Sequence, residues 1–115
     1  DCLDGVDEFV NFADFDQDSN GRIDAIASIH SGYGAETGGG GGDWMWSHKW
    51  ALWQLPGGQW TSADVNGNGV NVTVFDYHTS PALRGTSGTT MASIGVFVHE
   101  TMHFFGLPDL YDRDG

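Results

Sequence analysis

The segment SIGVFVHETMHFF, residues 93–105, sets two histidines and a glutamate into a run that is otherwise almost wholly apolar. That combination restricts what the chain can do. Burying polar groups without partners is costly, so His99, Glu100 and His103 must be satisfied by something. His99 and His103 lie four residues apart, which on a helix puts them on one face about one turn from each other. Two imidazole nitrogens so placed reach a common ion at about 2.0–2.1 Å. The segment is apolar on nearly all sides, which predicts a buried helix. It runs from a cap at Thr89 or Thr90 to about Phe105. The plain alternative is a packing helix that carries two satisfied core histidines.

The residues just beyond the helix favour the ion. Gly106 tolerates the left-handed conformation that ends helices, and Pro108 prevents their continuation. The chain is therefore expected to turn sharply after Phe105, which lets Asp109 swing back toward the histidines. A catalytic zinc takes three protein ligands and keeps a fourth position open. Glu100, adjacent to the first ligand, stands where a general base for an activated water belongs. The pattern His-Glu-x-x-His-x-x-Gly-x-x-His is the metzincin signature. Here aspartate holds the last position, and a carboxylate oxygen is an acceptable zinc ligand.

A second oxygen-rich segment precedes it. In Asp14-Phe15-Asp16-Gln17-Asp18-Ser19-Asn20-Gly21-Arg22-Ile23-Asp24 the side-chain oxygens alternate and Gly21 permits a tight turn. With Asp16 first in an EF-type loop, Asp18, Asn20, Gly21 and Asp24 fall at the third, fifth, sixth and ninth positions. Arg22 offers only its carbonyl. Ala27 occupies the twelfth position, where a bidentate glutamate belongs, so affinity is reduced or another ligand is recruited, Asp14 being nearest. Calcium is the expected cation, an ion-free Asx-rich turn the alternative. The formal net charge of −12, with Arg22, Lys49, Arg84 and Arg113 the only lysine or arginine residues, fits cation binding. The same balance disfavours nucleic acid and anionic membrane surfaces as partners.

HETMHFFGLPDLYD resembles the active-site segment of the immune inhibitor A-type metallopeptidases, whose pattern is His-Glu-x-x-His-x-x-Gly-Leu-Pro-Asp-Leu-Tyr-Asp. DFDQDSNGRIDAIASIHSGYGAE and WSHKW are also similar to that family, so the resemblance covers about Phe9 to Tyr111. It implies zinc at His99, His103 and Asp109, with Glu100 as the base, in a secreted, extracellular enzyme. The fold it implies is α+β, the N-terminal part of a metzincin-like catalytic domain: a small mixed sheet, one short helix and the zinc-bearing helix. Metzincins also need a methionine turn downstream of the third ligand, and six residues follow Asp109. Residues 1–115 are therefore expected to be a fragment of a single catalytic domain that continues beyond both ends. The expected function is zinc-dependent endoproteolysis of protein or peptide substrates by a monomer. The alternatives are a calcium-stabilised secreted binding module with a catalytically silent metal site, and a zinc hydrolase acting on other bonds.

The rest of the chain reads more plainly. Val6, Phe9, Val10 and Ala13 fall at helical spacing and predict a short amphipathic helix. Ile23–His30 reads as a buried strand. His30 is expected to be structural. Gly38–Gly42 is an uninterrupted glycine tract, expected as a surface loop. Trp44, Trp46, Trp50 and Trp53 are read as core packing, although residues 44–55 could also supply a substrate-binding edge strand. Asp64–Gly69 is a turn, with a weaker claim to calcium, and Val70, Val72 and Val74 follow with strand period. Cys2 is the one cysteine, either a free thiol or half of a bridge to another segment.

Overall fold

The computed structural model describes residues 2–37 and 44–109. The glycine tract Gly38–Gly42 lies outside the described residues. The chain divides into two compact units, Asp1–Ile26 with Trp50–Tyr77, and Ala27–Lys49 with His78–Gly115. Helix and sheet are both present, as the α+β expectation requires.

The first unit is built on a hairpin. Strands β3 (Trp60–Val65) and β4 (Asn71–Val74) pair antiparallel. The turn between them is held by Asn66, whose Oδ1 accepts the backbone N–H groups of Asn68 at 3.0 Å and Val70 at 3.1 Å. The period-two reading of the valines holds, with Val72 and Val74 fully buried. Val70, by contrast, is half exposed beside the turn. Phe12 and Ile23 complete this small core, and Trp60 meets Phe12 edge-on at 5.0 Å. Residues 22–23 are stitched to β4: Ile23 N–H donates to the Thr73 carbonyl, and Thr73 N–H to that of Gly21, both at 2.9 Å.

Two expectations are corrected here. The helix over residues 6–13 is replaced by successive turns and a 3₁₀ segment, Phe12–Phe15. Asn11 caps that segment by accepting the Ala13 N–H, and Asp64 Oδ2 takes the Phe12 N–H at 2.7 Å. These side-chain acceptors hold the N–H groups that a continuous helix would have used internally. The tryptophans of residues 44–53 do not form a packed core. Trp46, Trp50 and Trp53 are half exposed or more, and Trp60 is the one at the buried cluster.

The second unit carries most of a three-stranded sheet ordered β1 (Ala27–Tyr33), β5 (Asp76–Leu83), β2 (His48–Ala51). β1 runs parallel to β5, in register from Ala27 opposite His78 to His30 opposite Pro81. The register then shifts, beside a proline that has no N–H to give. The buried strand is the central one: His78, Thr79, Ser80 and Pro81 of β5 are all buried. β1 begins at Ala27 rather than Ile23 and is largely exposed. Ile23 is apolar because it belongs to the core of the first unit. β2 is an edge strand among the described residues, so part of the segment read as an edge does lie at one.

Helix α1 (Ile94–Met102) continues as one 3₁₀ turn, His103–Phe105. It starts later than Thr89 or Thr90 would place it. Ser93 is its N-cap position, without a side-chain capping bond, while Thr90 bonds to Ser87. Nor is it buried all round. Ile94, Val98 and Met102 are exposed, and Glu100 is the one buried residue of the helix. Apolar composition states what a helix can bury, and its neighbours decide what is covered.

Phe12→Ala should lower the unfolding free energy by about 3 kcal/mol or more, because it removes a ring from the centre of a small core. Phe15→Ala, at a 52 % exposed position, should change it by less than about 0.5 kcal/mol. Urea denaturation followed by tryptophan fluorescence distinguishes the two.

Candidate metal centre

The end of the helix builds the centre. Gly106 adopts φ 76°, ψ 13°, the left-handed conformation anticipated for it. Its N–H donates to the His103 carbonyl at 3.1 Å, and the Leu107 N–H to that of Met102 at 3.4 Å. These two bonds are the 5→2 and 6→1 pair of a Schellman cap. The cap reverses the chain and aims the next residues back along the helix. The Leu107 carbonyl arrives 2.8 Å from His103 Nδ1, and Asp109 Oδ1 lies 3.1 Å from His99 Nε2 and 3.3 Å from His103 Nε2.

The potential ligand atoms of His99, His103 and Asp109 all lie within 4.8 Å of one another, the one such group of histidine, cysteine or acidic side chains among the described residues. The donor chemistry fits a cation. A carbonyl can only accept, so His103 Nδ1 carries a hydrogen, and in the neutral ring Nε2 then turns its lone pair toward the Asp109 carboxylate. Two acceptors facing each other at 3.3 Å repel unless a proton or metal ion stands between them. A backbone carbonyl that fixes the tautomer of a ligating imidazole is a usual companion of zinc sites. The side chains are 28 %, 22 % and 46 % exposed for His99, His103 and Asp109, so the site can be reached from solvent. Glu100, next to His99, is 6 % exposed.

The Asp-rich loop is arranged differently. Asp16 is buried, and both of its oxygens accept hydrogen bonds: Oδ1 from Asn20 N–H at 3.0 Å, Oδ2 from Gly21 N–H at 2.9 Å. Asn66 Nδ2, from the β3–β4 turn, adds a 2.7 Å bond to Oδ2. That bond first, and the backbone donors after it, hold the Asp16 carboxyl below its ordinary pKa range despite desolvation. Asp18 accepts from Asn20, Asn20 from the Arg22 N–H, Asp24 from the Gln17 N–H and Asp14 from Asn11. The Arg22 guanidinium lies over the Phe75 ring at 4.4 Å. Gly21 has φ 84°, and a Cβ there would stand 3.1 Å from Val70 Cγ1, so both conformation and space call for glycine.

His30 Nδ1 contacts the Ser31 carbonyl at 3.1 Å, and His48 Nδ1 that of Trp46 at 2.7 Å. His78 is the residue that sequence spacing does not pick out. It is 2 % exposed, its ring is held edge-on by Phe97 and Phe104, and burial pushes its pKa down. The rings that cover it, Phe97 of α1 and Phe104 of the turn that follows, come from a segment distant in sequence, so its burial is a tertiary fact.

Two histidines one turn apart, with a carboxylate returned to them by the helix cap, form a candidate metal centre of the kind found in metallopeptidases. The chain belongs to the immune inhibitor A peptidase M6 family, whose catalytic domain is matched over residues 3–115. It is 36 % identical over 125 residues to immune inhibitor A of Bacillus thuringiensis subsp. alesti, an alignment covering 95 % of this chain and 17 % of that protein. It is 33 % identical over 123 residues to the pre-pro-metalloprotease PrtV of Vibrio cholerae serotype O1, covering 92 % of this chain and 12 % of that protein. The chain thus spans a small part of the length of these relatives.

A depressed histidine pKa means that the unfolded chain binds the proton more readily. His78 should therefore contribute full stability above about pH 6.5, the unfolded value. That contribution is lost as the pH falls toward the lowered folded value. His78→Phe should flatten this part of the stability–pH profile, measured by urea midpoints between pH 7 and 5.

Proposed function

We propose that this chain carries the zinc site and general base of a secreted metalloendopeptidase, within a metzincin-like part of its catalytic domain. Its substrates are proteins or peptides, and the protein works as a monomer. The observation that carries the reading is the convergence of His99, His103 and Asp109 beside the buried Glu100. The two Nε2 atoms and an Asp109 oxygen would hold zinc. When bound, zinc supplies a Lewis acid that polarises the scissile carbonyl and brings the pKa of water toward about 7. Glu100 accepts the proton of the attacking water and passes it to the departing amine. His103 is kept in the correct tautomer by the Leu107 carbonyl, and Asp109 offsets the charge of the site.

The absence among the described residues of any helix long and apolar enough to cross a membrane is compatible with this reading. Family membership and a relative whose name includes metalloprotease support peptide hydrolysis over the rival of a silent binding module. Glu100→Gln in the protein that contains this chain should leave zinc content unchanged and cut casein hydrolysis by about 10²-fold or more. Wild-type turnover in that variant removes Glu100 as the base. Zinc binding with no chelator-sensitive cleavage favours the silent module.

The reading extends to calcium at Asp14, Asp16, Asp18, Asn20, Asp24 and the Arg22 carbonyl. It is supported by a loop that is already closed around Asp16 by the Asn20 and Gly21 N–H groups. Calcium should raise the unfolding midpoint of the chain through preferential binding to the folded state. A midpoint indifferent to millimolar calcium removes the ion from the loop.

A further inference from the structure

The imidazole of His78 has no part in the proposed hydrolysis, yet it is buried directly against the helix that carries the histidine pair. Its Nε2 lies 3.3 Å from Thr101 Oγ1. The direction of that bond comes from Thr101 itself. The hydroxyl donates its one hydrogen to the Phe97 carbonyl at 2.8 Å, so toward His78 it can only accept. His78 Nε2 therefore carries a hydrogen, and its buried Nδ1 has no hydrogen-bond partner among the described residues, which leaves the neutral Nε2–H tautomer as the form that strands no N–H. An apolar ring of the same size would fill the space between Phe97 and Phe104 without stranding a polar atom, so packing alone does not account for an imidazole here.

Thr101 sits midway between the two histidines in sequence. At 3.6 residues per turn it points about 200° around the helix from each of them, toward the opposite side. A bond at Thr101 thus fixes the rotation of α1 about its own axis, and that rotation decides where His99 and His103 aim. The strand end of the bond is rigid as well. His78 lies in the central strand β5, opposite Ala27 of β1. The Ser28 hydroxyl also bonds to the His78 carbonyl at 3.4 Å.

We propose that His78 is a positioning residue for the metal centre: its Nε2–H, donated to Thr101 on the far side of α1, locks the rotation of the helix that aims His99 and His103 at a common point with Asp109. The proposal rests on the zinc reading for its consequence and on the His78–Thr101 bond for its cause, and the two can be tested separately. Thr101→Val removes the acceptor with little change in shape, and His78→Leu removes the donor. Thr101→Ser and His78→Gln keep them.

Zinc affinity of the full chain is read by chelator competition, and the geometry of the site by the visible spectrum of the cobalt form. The imidazole ¹⁵N resonances of the metal-free chain report tautomers and ring environment. The expected result is an Nε2–H tautomer for His78, and shifted His99 and His103 resonances in Thr101→Val. Zinc affinity should fall about tenfold in Thr101→Val and His78→Leu, with an altered cobalt spectrum. The two conservative variants should restore both. Thr101→Val with His78→Leu should lose no more than either alone, because both remove the same bond. Additive losses, or unshifted His99 and His103 resonances in Thr101→Val, overturn the proposal. Failure of the parent chain to bind zinc refutes the metal reading, while the metal-free resonances still decide the positioning role. If His78→Leu does not fold, Thr101→Val and Thr101→Ser carry the comparison.

Discussion

The candidate metal centre depends on how helix α1 stops. A helix can present His99 and His103 on one face by its own periodicity. It cannot present a third ligand from beyond its end unless the chain reverses within a few residues. The left-handed turn at Gly106, closed by the Met102 and His103 carbonyls, provides that reversal. The same turn delivers the Leu107 carbonyl to His103 Nδ1 and Asp109 to both Nε2 atoms. The cap, the carbonyl that meets His103 and the candidate third ligand are one short piece of backbone, so the candidate ligand set is largely preorganised by local structure. Preorganisation matters because every side chain ordered by the metal instead of the fold would subtract from binding.

Around that piece, polar groups are arranged to leave few choices. The Thr101 hydroxyl has one hydrogen and gives it to Phe97, which fixes the tautomer of His78. The Leu107 carbonyl can only accept, which fixes the tautomer of His103. Asn66 is oriented in the same manner: its oxygen is taken by two backbone N–H groups, so its nitrogen must face Asp16. In each case a group with a single permitted role decides the state of a more versatile neighbour.

The elements whose sequence pattern and structure disagree share a cause. The helical spacing of Val6, Phe9, Val10 and Ala13 is genuine, but Asp64, fifty-two residues from Phe12, takes the N–H that a continuous helix would keep. The apolar stretch beginning at Ile23 has the composition of one strand, whereas Ile23 serves the core of one unit and Ala27 opens a strand of the other. The tryptophans are large and apolar, which argues for the interior, yet Trp46, Trp50 and Trp53 are exposed. Periodicity and apolarity are local quantities. The partner that supplies a hydrogen bond or covers a face is distant in sequence and leaves no trace in either.

Local chemistry is legible from the order of the residues alone: the histidine pair at helical spacing, the glutamate beside it, the glycine that ends the helix and the aspartate three residues on. The residues of such a motif constrain one another through short stretches of backbone, so their geometry needs no knowledge of the fold. The valines of β4 and the turn before them are legible for the same reason. It takes the folded chain to bring His78 of the central strand to Thr101 of the helix, twenty-three residues away, and Asn66 of a hairpin turn to the buried Asp16. Those contacts exist only once strands have paired and a helix has settled on them. No spacing rule reaches across that distance.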